Sequence, residues 1–322
     1  MSRYRYIILF FSLFSLFAQA QENEEIEMME FGDFDHWFVR EIEESRVVGG
    51  NTLYIYSIGK SDTLRNNVSI KALQYSPWGT SNVMARIAGI IKGTNTVFPV
   101  KRDNGYCARI ETCLIELKAL GFVNIKVVTA GAIYLGGASE PVNDPNNLYV
   151  NVDMGIPFNK KPKAIMLDYK SDMKNLTTIS RSKPGSFSVK EFEGQDNADV
   201  FCFLQKRWED KDGNIYAKRV GTAREFFGEY NEKWVNNHRI NIIYGNATKS
   251  PEYKDYMKLT PKEKSFYARN SKGEMVPVIE TDWGSENDEV THIVFMVSSG
   301  SRGAYEGGLN NAFLVDNIKF VY

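Results

Sequence analysis

Apolar residues fall along this chain in short, β-rich runs broken by Gly, Asn, Asp and Pro, with no helical pattern between them. The runs predict strands over 68–75, 82–92, 96–101, 106–118, 124–135, 163–170, 198–208, 214–220, 238–244, 290–299 and 312–322. Many short strands at this spacing are the mark of a sandwich or barrel. In ADVFCFLQKRW, Val200, Cys202 and Leu204 alternate with Phe201 and Phe203. A strand apolar on both faces belongs in the centre of a sheet covered on both sides. The next residues, Asp210 to Asn214, carry an Asp-Gly turn signal that closes a hairpin into Ile215 to Val220. Their faint likeness to a calcium loop fails, because Gly213 is misplaced for one and the distal Glu is missing. Helix is expected only at Thr260-Pro261-Lys262-Glu263, where Thr can cap and Pro fits the first turn. It would lie in a polar insertion from about 246 to 274.

The opening residues have a different pattern. Arg3 and Arg5 precede an apolar run from Ile7 to Phe17, and Ala18-Gln19-Ala20 gives the small-x-small cleavage signal. The run is about 11 residues, against roughly 20 for a membrane-spanning helix. Residues 1–20 are therefore expected to be a cleaved signal peptide, with a mature chain starting near Gln21. No cysteine follows the run, so no lipid anchor is expected. The product should be soluble, periplasmic or secreted, with no transmembrane segment. Residues 21–30 (QENEEIEMME) form an acidic leader expected to be solvated, and 31–322 the β domain.

Basic and acidic residues number 39 and 40, a near balance that disfavours nucleic acid or an anionic membrane as partner and fits a neutral ligand. The three cysteines cannot all pair. Cys107 and Cys113 lie six apart in one predicted strand, about 20 Å at strand rise. A disulfide needs α-carbons within about 7 Å, so buried free thiols are expected.

The chain contains no GxSxG, HExxH, phosphate-loop or CxxC motif. His36, His238 and His292 are scattered without ligand spacing. Carboxylates and aromatics remain. Arg109 and Glu111 share a strand face with Cys107, Cys113 and Ile115, so they must be paired or line a cleft. One reading is an ion pair bracing the sheet, the other a polar patch that reads sugar hydroxyls. Asp168, beside Tyr169 and Lys170, presents the same conflict. With Glu111 it would supply the carboxylate pair of a glycoside hydrolase. Trp78, in the turn SPWGTSN, and Trp283 are candidate stacking platforms, with Asn82 reading hydroxyls. Asp316 is expected on the face of Leu314, Ile318 and Phe320, where a lone carboxylate needs a partner. Asp35 could approach it, and calcium would suit an all-oxygen site. A plainly hydrogen-bonded Asp is the alternative.

PWGTSNV (77–83), TVFPVKRDNGYCARIET (96–112), NIKVVTAGAIYLGG (124–137), GIPFNKKPKAIMLDYK (155–170) and FLVDNIKFVY (313–322), taken in order, resemble the putative carbohydrate metabolism domain (PCMD) family of exported proteins from glycan-degrading Gram-negative bacteria. The resemblance covers about 30 to 322. It implies an all-β jelly-roll sandwich similar to carbohydrate-binding modules, and a role in glycan metabolism. The pairing of FGDFD with a terminal VDN strand also looks like carbohydrate-binding jelly rolls that hold a structural calcium, with Asp35 and Asp316 as the implied ligands. Those modules often carry Glu where this chain has the shorter Asp35. Some PCMD relatives are lipoproteins or carry an immunoglobulin-like domain in front; neither is expected here.

Three functions follow. The first is an exported protein that binds an oligo- or polysaccharide through aromatic platforms and the Arg109, Glu111, Asp168 patch. The second is a glycoside hydrolase on the same scaffold, and the third a surface or adhesion protein. Fold analogy alone does not make an enzyme, so binding leads.

Overall fold

The computed structural model describes residues 24–87, 89–119, 123–143, 149–173, 177–183 and 185–322. The expected signal peptide, and residues 21–23 of the leader, lie outside the described residues. What is described is β-structure joined by turns and short 3-10 segments, as the alternating runs require.

Two large sheets share one core. The first has seven strands, in the order Val123–Ala130, Gly105–Ala119, Ala312–Val321, Ala164–Asp172 and Asn231–Asn241, with Ile26–Met28 and Val97–Arg102 paired at its margins. The second has ten strands, with Ala198–Glu209 flanked by His292–Ser298 and Ile215–Phe227. Ile165, Leu167, Phe313 and Val315 of the first sheet join Val200, Cys202, Leu204, Phe295 and Val297 of the second in one buried cluster. The two-faced strand is central, as its sequence demands. Its other face, Phe201 and Phe203, packs with Tyr134, Met154 and Val294 in a second cluster.

The Asp-Gly hairpin forms as predicted. Gly213 takes a left-handed φ of 91°, and the Asp210 carboxylate accepts the N–H groups of Asp212 and Asn214. Cys107, Cys113 and Cys202 are free thiols. Burial pushes Cys113 up to about 11 and Cys107 up to about 12, so both stay protonated and unreactive.

Several expectations are corrected. Residues 68–75 form no strand, and 72–75 make a turn. The run 82–92 divides at a turn into Val83–Ile87 and Ile90–Thr94, which pair as a hairpin. The run 124–135 breaks at Gly131, where the chain passes from one large sheet to the other. A side chain there would meet the carbonyl oxygens of Thr96 and Glu111 at 2.7 and 2.8 Å, so the crossing needs glycine. The acidic leader is not wholly solvated: Ile26–Met28 pairs with Lys319 to Val321 of the terminal strand. Thr260 caps no helix, because its hydroxyl accepts from Arg219 and its N–H donates to Glu280. Only a 3-10 turn, Lys262–Lys264, follows.

Candidate functional site: a carboxylate pocket around Arg102

On the seven-stranded sheet, side chains alternate between the core and an outer face. Ala108, Ile110, Ile165, Leu167, Phe313 and Val315 point inward, which turns Arg109, Glu111, Asp168, Leu314 and Asp316 outward. The terminal strand then changes parity. Asn317 adopts a left-handed φ of 51° at a register irregularity against Met166 and Asp168, so Ile318 and Phe320 return to the core. Asp316 therefore shares a face with Leu314 but not with Ile318 and Phe320, contrary to simple alternation. A bulge of one residue is enough to do this.

Asp168 and Asp316 are register partners on adjoining strands. Between them reaches Arg102, set at the end of the Val97–Arg102 strand by a tight turn in which Asp103 has φ 48°. Its Nη1 lies 2.7 Å from Asp316 Oδ2 and 3.0 Å from Asp168 Oδ2, and Nη2 donates to Asn236 Oδ1 at 2.7 Å. The guanidinium carbon sits 3.9 Å over the Trp234 ring, a cation–π contact. Asp168 also accepts from the Asn237 backbone N–H at 2.7 Å and from Asn317 Nδ2 at 2.9 Å. Asn237 and Asn317, on the two strands flanking Asp168, are both left-handed, a conformation Asn tolerates better than most residues. Burial pushes the Asp316 carboxyl up to about 6, with Asp168 adding to the rise and Arg102 and the Asn317 N–H opposing it.

The N-terminal turns close one side. Met29 N–H donates to Ile318 O, and Ile318 N–H to Gly32 O, which lays 29–35 along the terminal strand. Asp35 Oδ1 then accepts the Tyr106 N–H at 2.7 Å. A Cβ on Gly105 would lie 2.0 Å from that oxygen, so the approach requires glycine. The result is a pocket of about 180 Å³ whose wall includes Asp33, Asp35, Arg102, Asp103, Tyr106 and Asp316. Tyr106 is 42% exposed at its rim.

The other expected site residues lie elsewhere. Arg109 Nε binds Glu111 Oε2 at 3.1 Å, with Asp172 Oδ2 3.9 Å from Arg109 Nη1. This is a half-exposed ion pair, the bracing reading of the two. Glu111 is level with Ala312 and Asp168 with Asp316, four residues or about 13 Å along the strand. Glu111 and Asp168 are therefore too far apart to act as an acid–base pair; Asp316 is the carboxylate beside Asp168. Trp78 is buried against Phe34 and Phe295 and donates its indole N–H to Glu30 O. It is core, not a platform. Asn82 is 2% exposed and staples three segments, donating to Tyr56 O and Val97 O and accepting from the N–H groups of Thr96 and Val97. Tyr169 packs on Phe313, Phe227 and His238. Lys170 is half-buried opposite Leu314, and Trp283 half-buried beside Arg219.

Asp35 and Asp316 do line one pocket, yet they do not suit calcium. The Arg102 guanidinium already holds the Asp316 oxygen a cation would take, and Asp35 is engaged by a backbone N–H. Among the described residues no group of three His, Cys, Asp or Glu is placed to hold a metal.

Arg102 was missed because nothing in RDNG marks which residue the turn aims at the two carboxylates. Asn237 in VNNH and Asn317 in VDN were the available hint, since Asn tolerates the left-handed conformation a bulge takes.

A search of curated protein sequences returns no match. Two solved structures are similar in part. One is titled a putative glycoside hydrolase from Bacteroides thetaiotaomicron, with 16% identity, 88% of this chain and 71% of that chain covered, and TM-score 0.46. The other is titled a putative glycoside hydrolase from Bacteroides vulgatus, with 10% identity, 92% and 94% covered, and TM-score 0.39. Residues 34–321 match the family described as "Putative carbohydrate metabolism domain", so the chain belongs to that family and its role is carbohydrate-related.

Proposed function

We propose that this is an exported carbohydrate-binding protein of glycan utilisation, and that it takes an oligo- or polysaccharide at the Arg102 pocket. The observation that carries this reading is one pocket lined by Asp33, Asp35, Asp103 and Asp316 together with Arg102, beside an exposed tyrosine. Carboxylates accept from sugar hydroxyls, the arginine donates, and an aromatic ring offers a face for the apolar side of a pyranose. Binding is favoured over cleavage because Asp168 already accepts from Asn237, Asn317 and Arg102. A carboxylate so engaged is a poor nucleophile or base.

A hydrolase reading draws on one specific observation. The Asp316 carboxyl is pushed up to about 6, as a general acid requires, and stands opposite Asp168. One nitrogen bridges their nearer oxygens, closer than the ~6.5–9.5 Å of an inverting pair. The test is a glycan array of the purified protein with Tyr106→Ala, Asp103→Asn and Asp316→Asn, alongside a reducing-sugar assay. Binding weakened by Tyr106→Ala or Asp103→Asn without sugar release supports the binding protein. Sugar release abolished by Asp316→Asn makes it a hydrolase, and neither binding nor sugar release by the wild type sinks both readings.

A further inference from the structure

The tryptophans differ sharply in what covers them. Trp37 and Trp78 are buried, Trp234 has Arg102 over its face, and Trp283 is half-buried near Arg219. Trp208 is 42% exposed. It stands opposite Tyr216 in the hairpin of Ala198–Glu209 and Ile215–Phe227. The two rings are nearly parallel, at 23°, with centroids 5.8 Å apart. Pairing continues past them to Glu209 and Ile215, and the turn beyond is closed by Asp210. The rings are thus held in place before any ligand arrives, which lowers the cost of ordering them on binding.

Alternation puts Lys206 and Lys218, themselves register partners, on the face of these rings. Lys206 Nζ lies 3.7 Å from Asp288 and 3.5 Å from Glu289. A Ser285 backbone N–H first, then both lysines, hold the Asp288 carboxyl below its ordinary range. The Tyr216 hydroxyl donates to the Asp210 carboxylate, so ammonium donors and carboxylate acceptors both lie beside this hairpin face. Trp208 is the one exposed large hydrophobic side chain of this hairpin, so a broad apolar protein interface is not what the face offers. Flat ring faces with hydrogen-bond donors and acceptors of both signs nearby match the apolar face and peripheral hydroxyls of an uncharged sugar ring.

We infer that Trp208 and Tyr216 form a second carbohydrate-contact surface, taking a neutral oligo- or polysaccharide chain on the ten-stranded sheet, apart from the Arg102 pocket. This rests on the carbohydrate reading proposed above. The test uses affinity electrophoresis in a panel of soluble neutral polysaccharides and acrylamide quenching of indole fluorescence. It compares the wild type with Trp208→Ala, Trp208→Phe and Tyr106→Ala. Bound polysaccharide should shield the quenchable indole of the wild type. Trp208→Ala should lose that shielding and bind about tenfold more weakly, while Trp208→Phe keeps most of the affinity. Unchanged binding by Trp208→Ala, with loss in Tyr106→Ala, overturns the second surface and leaves the pocket standing. Retention of no polysaccharide by the wild type overturns both.

Discussion

Asp168 and Asp316 face each other across two antiparallel strands and share Nη1 of Arg102, at 3.0 and 2.7 Å. Like charges directly opposite in a sheet repel, and both carboxylates are under a tenth exposed. The pair is stable because a cation from a third strand lies between them. Arg102 also braces Trp234 and Asn236, tying the edge strand to the centre of the sheet.

Replacing Arg102 with Met should therefore destabilise the fold by ~3–5 kcal/mol, the usual cost of leaving a buried charge without its partner. Adding Asp316→Asn to that variant should recover part of the loss, since the two positions are coupled. Urea denaturation of the three proteins gives the numbers. Strictly additive losses would mean that the two groups do not interact.

The pH dependence of stability should contain two opposed slopes. The Asp316 carboxyl moves from 3.8 up to about 6 on folding, so the folded chain binds the extra proton between those values. Its contribution is complete below pH ~4 and is lost as pH rises through 6. His292 moves the other way, from 6.5 down to about 4, through burial and then the nearby Arg207 charge. Its contribution is present above pH ~6.5 and is lost on acidification. The two offset one another between pH 4 and 6. Melting temperatures of Asp316→Asn should fall more steeply on acidification than those of the wild type, and His292→Gln less steeply, by a few degrees each. A wild-type slope in Asp316→Asn would show that this carboxyl titrates normally.

Trp78 and Trp208 make a paired prediction. Trp78→Ala should cost ~3–5 kcal/mol, as deletion of a buried aromatic does, without changing which glycans are bound. Trp208→Ala should leave the melting temperature within a degree or two. Calorimetry alongside glycan binding separates the two residues. Altered glycan preference in a folded Trp78 variant would contradict its place in the core.

These two tryptophans show where the sequence is readable. Period-two patterning identified the central strand of Val200, Cys202 and Leu204 with Phe201 and Phe203 on its other face, because both sets are uniformly apolar. It could not identify Trp37–Glu43, whose Arg40 is fully buried and pairs with Glu140 a hundred residues away. It placed Trp78 at the surface because turn residues surround it, whereas Phe34 and Phe295 arrive from distant segments to cover it. For the site, Asp168 and Asp316 were legible as charges on an apolar strand. Their shared partner was not, because the bulges at Asn237 and Asn317 decide which side chains meet.

The surface insertion offers a last test. Arg219 is fully buried on Phe203, forms an ion pair with Glu280, and donates to Met257 O, Lys258 O and Thr260 Oγ1. One side chain thus holds residues 257–260 of the 3-10-rich segment against the ten-stranded sheet. A buried pair of this kind contributes little net stability over an apolar replacement, but its rupture is costly. Arg219→Met alone leaves Glu280 charged and releases the segment, whereas Arg219→Met with Glu280→Gln removes both charges of the pair. Limited trypsin digestion should cut the single variant at Lys258, Lys262 or Lys264 many times faster than the wild type, with the double variant in between. Local opening of this kind needs no global unfolding. Equal cutting rates in all three would mean that the Phe226–Tyr256 stack, with centroids 4.2 Å apart, holds the segment without Arg219.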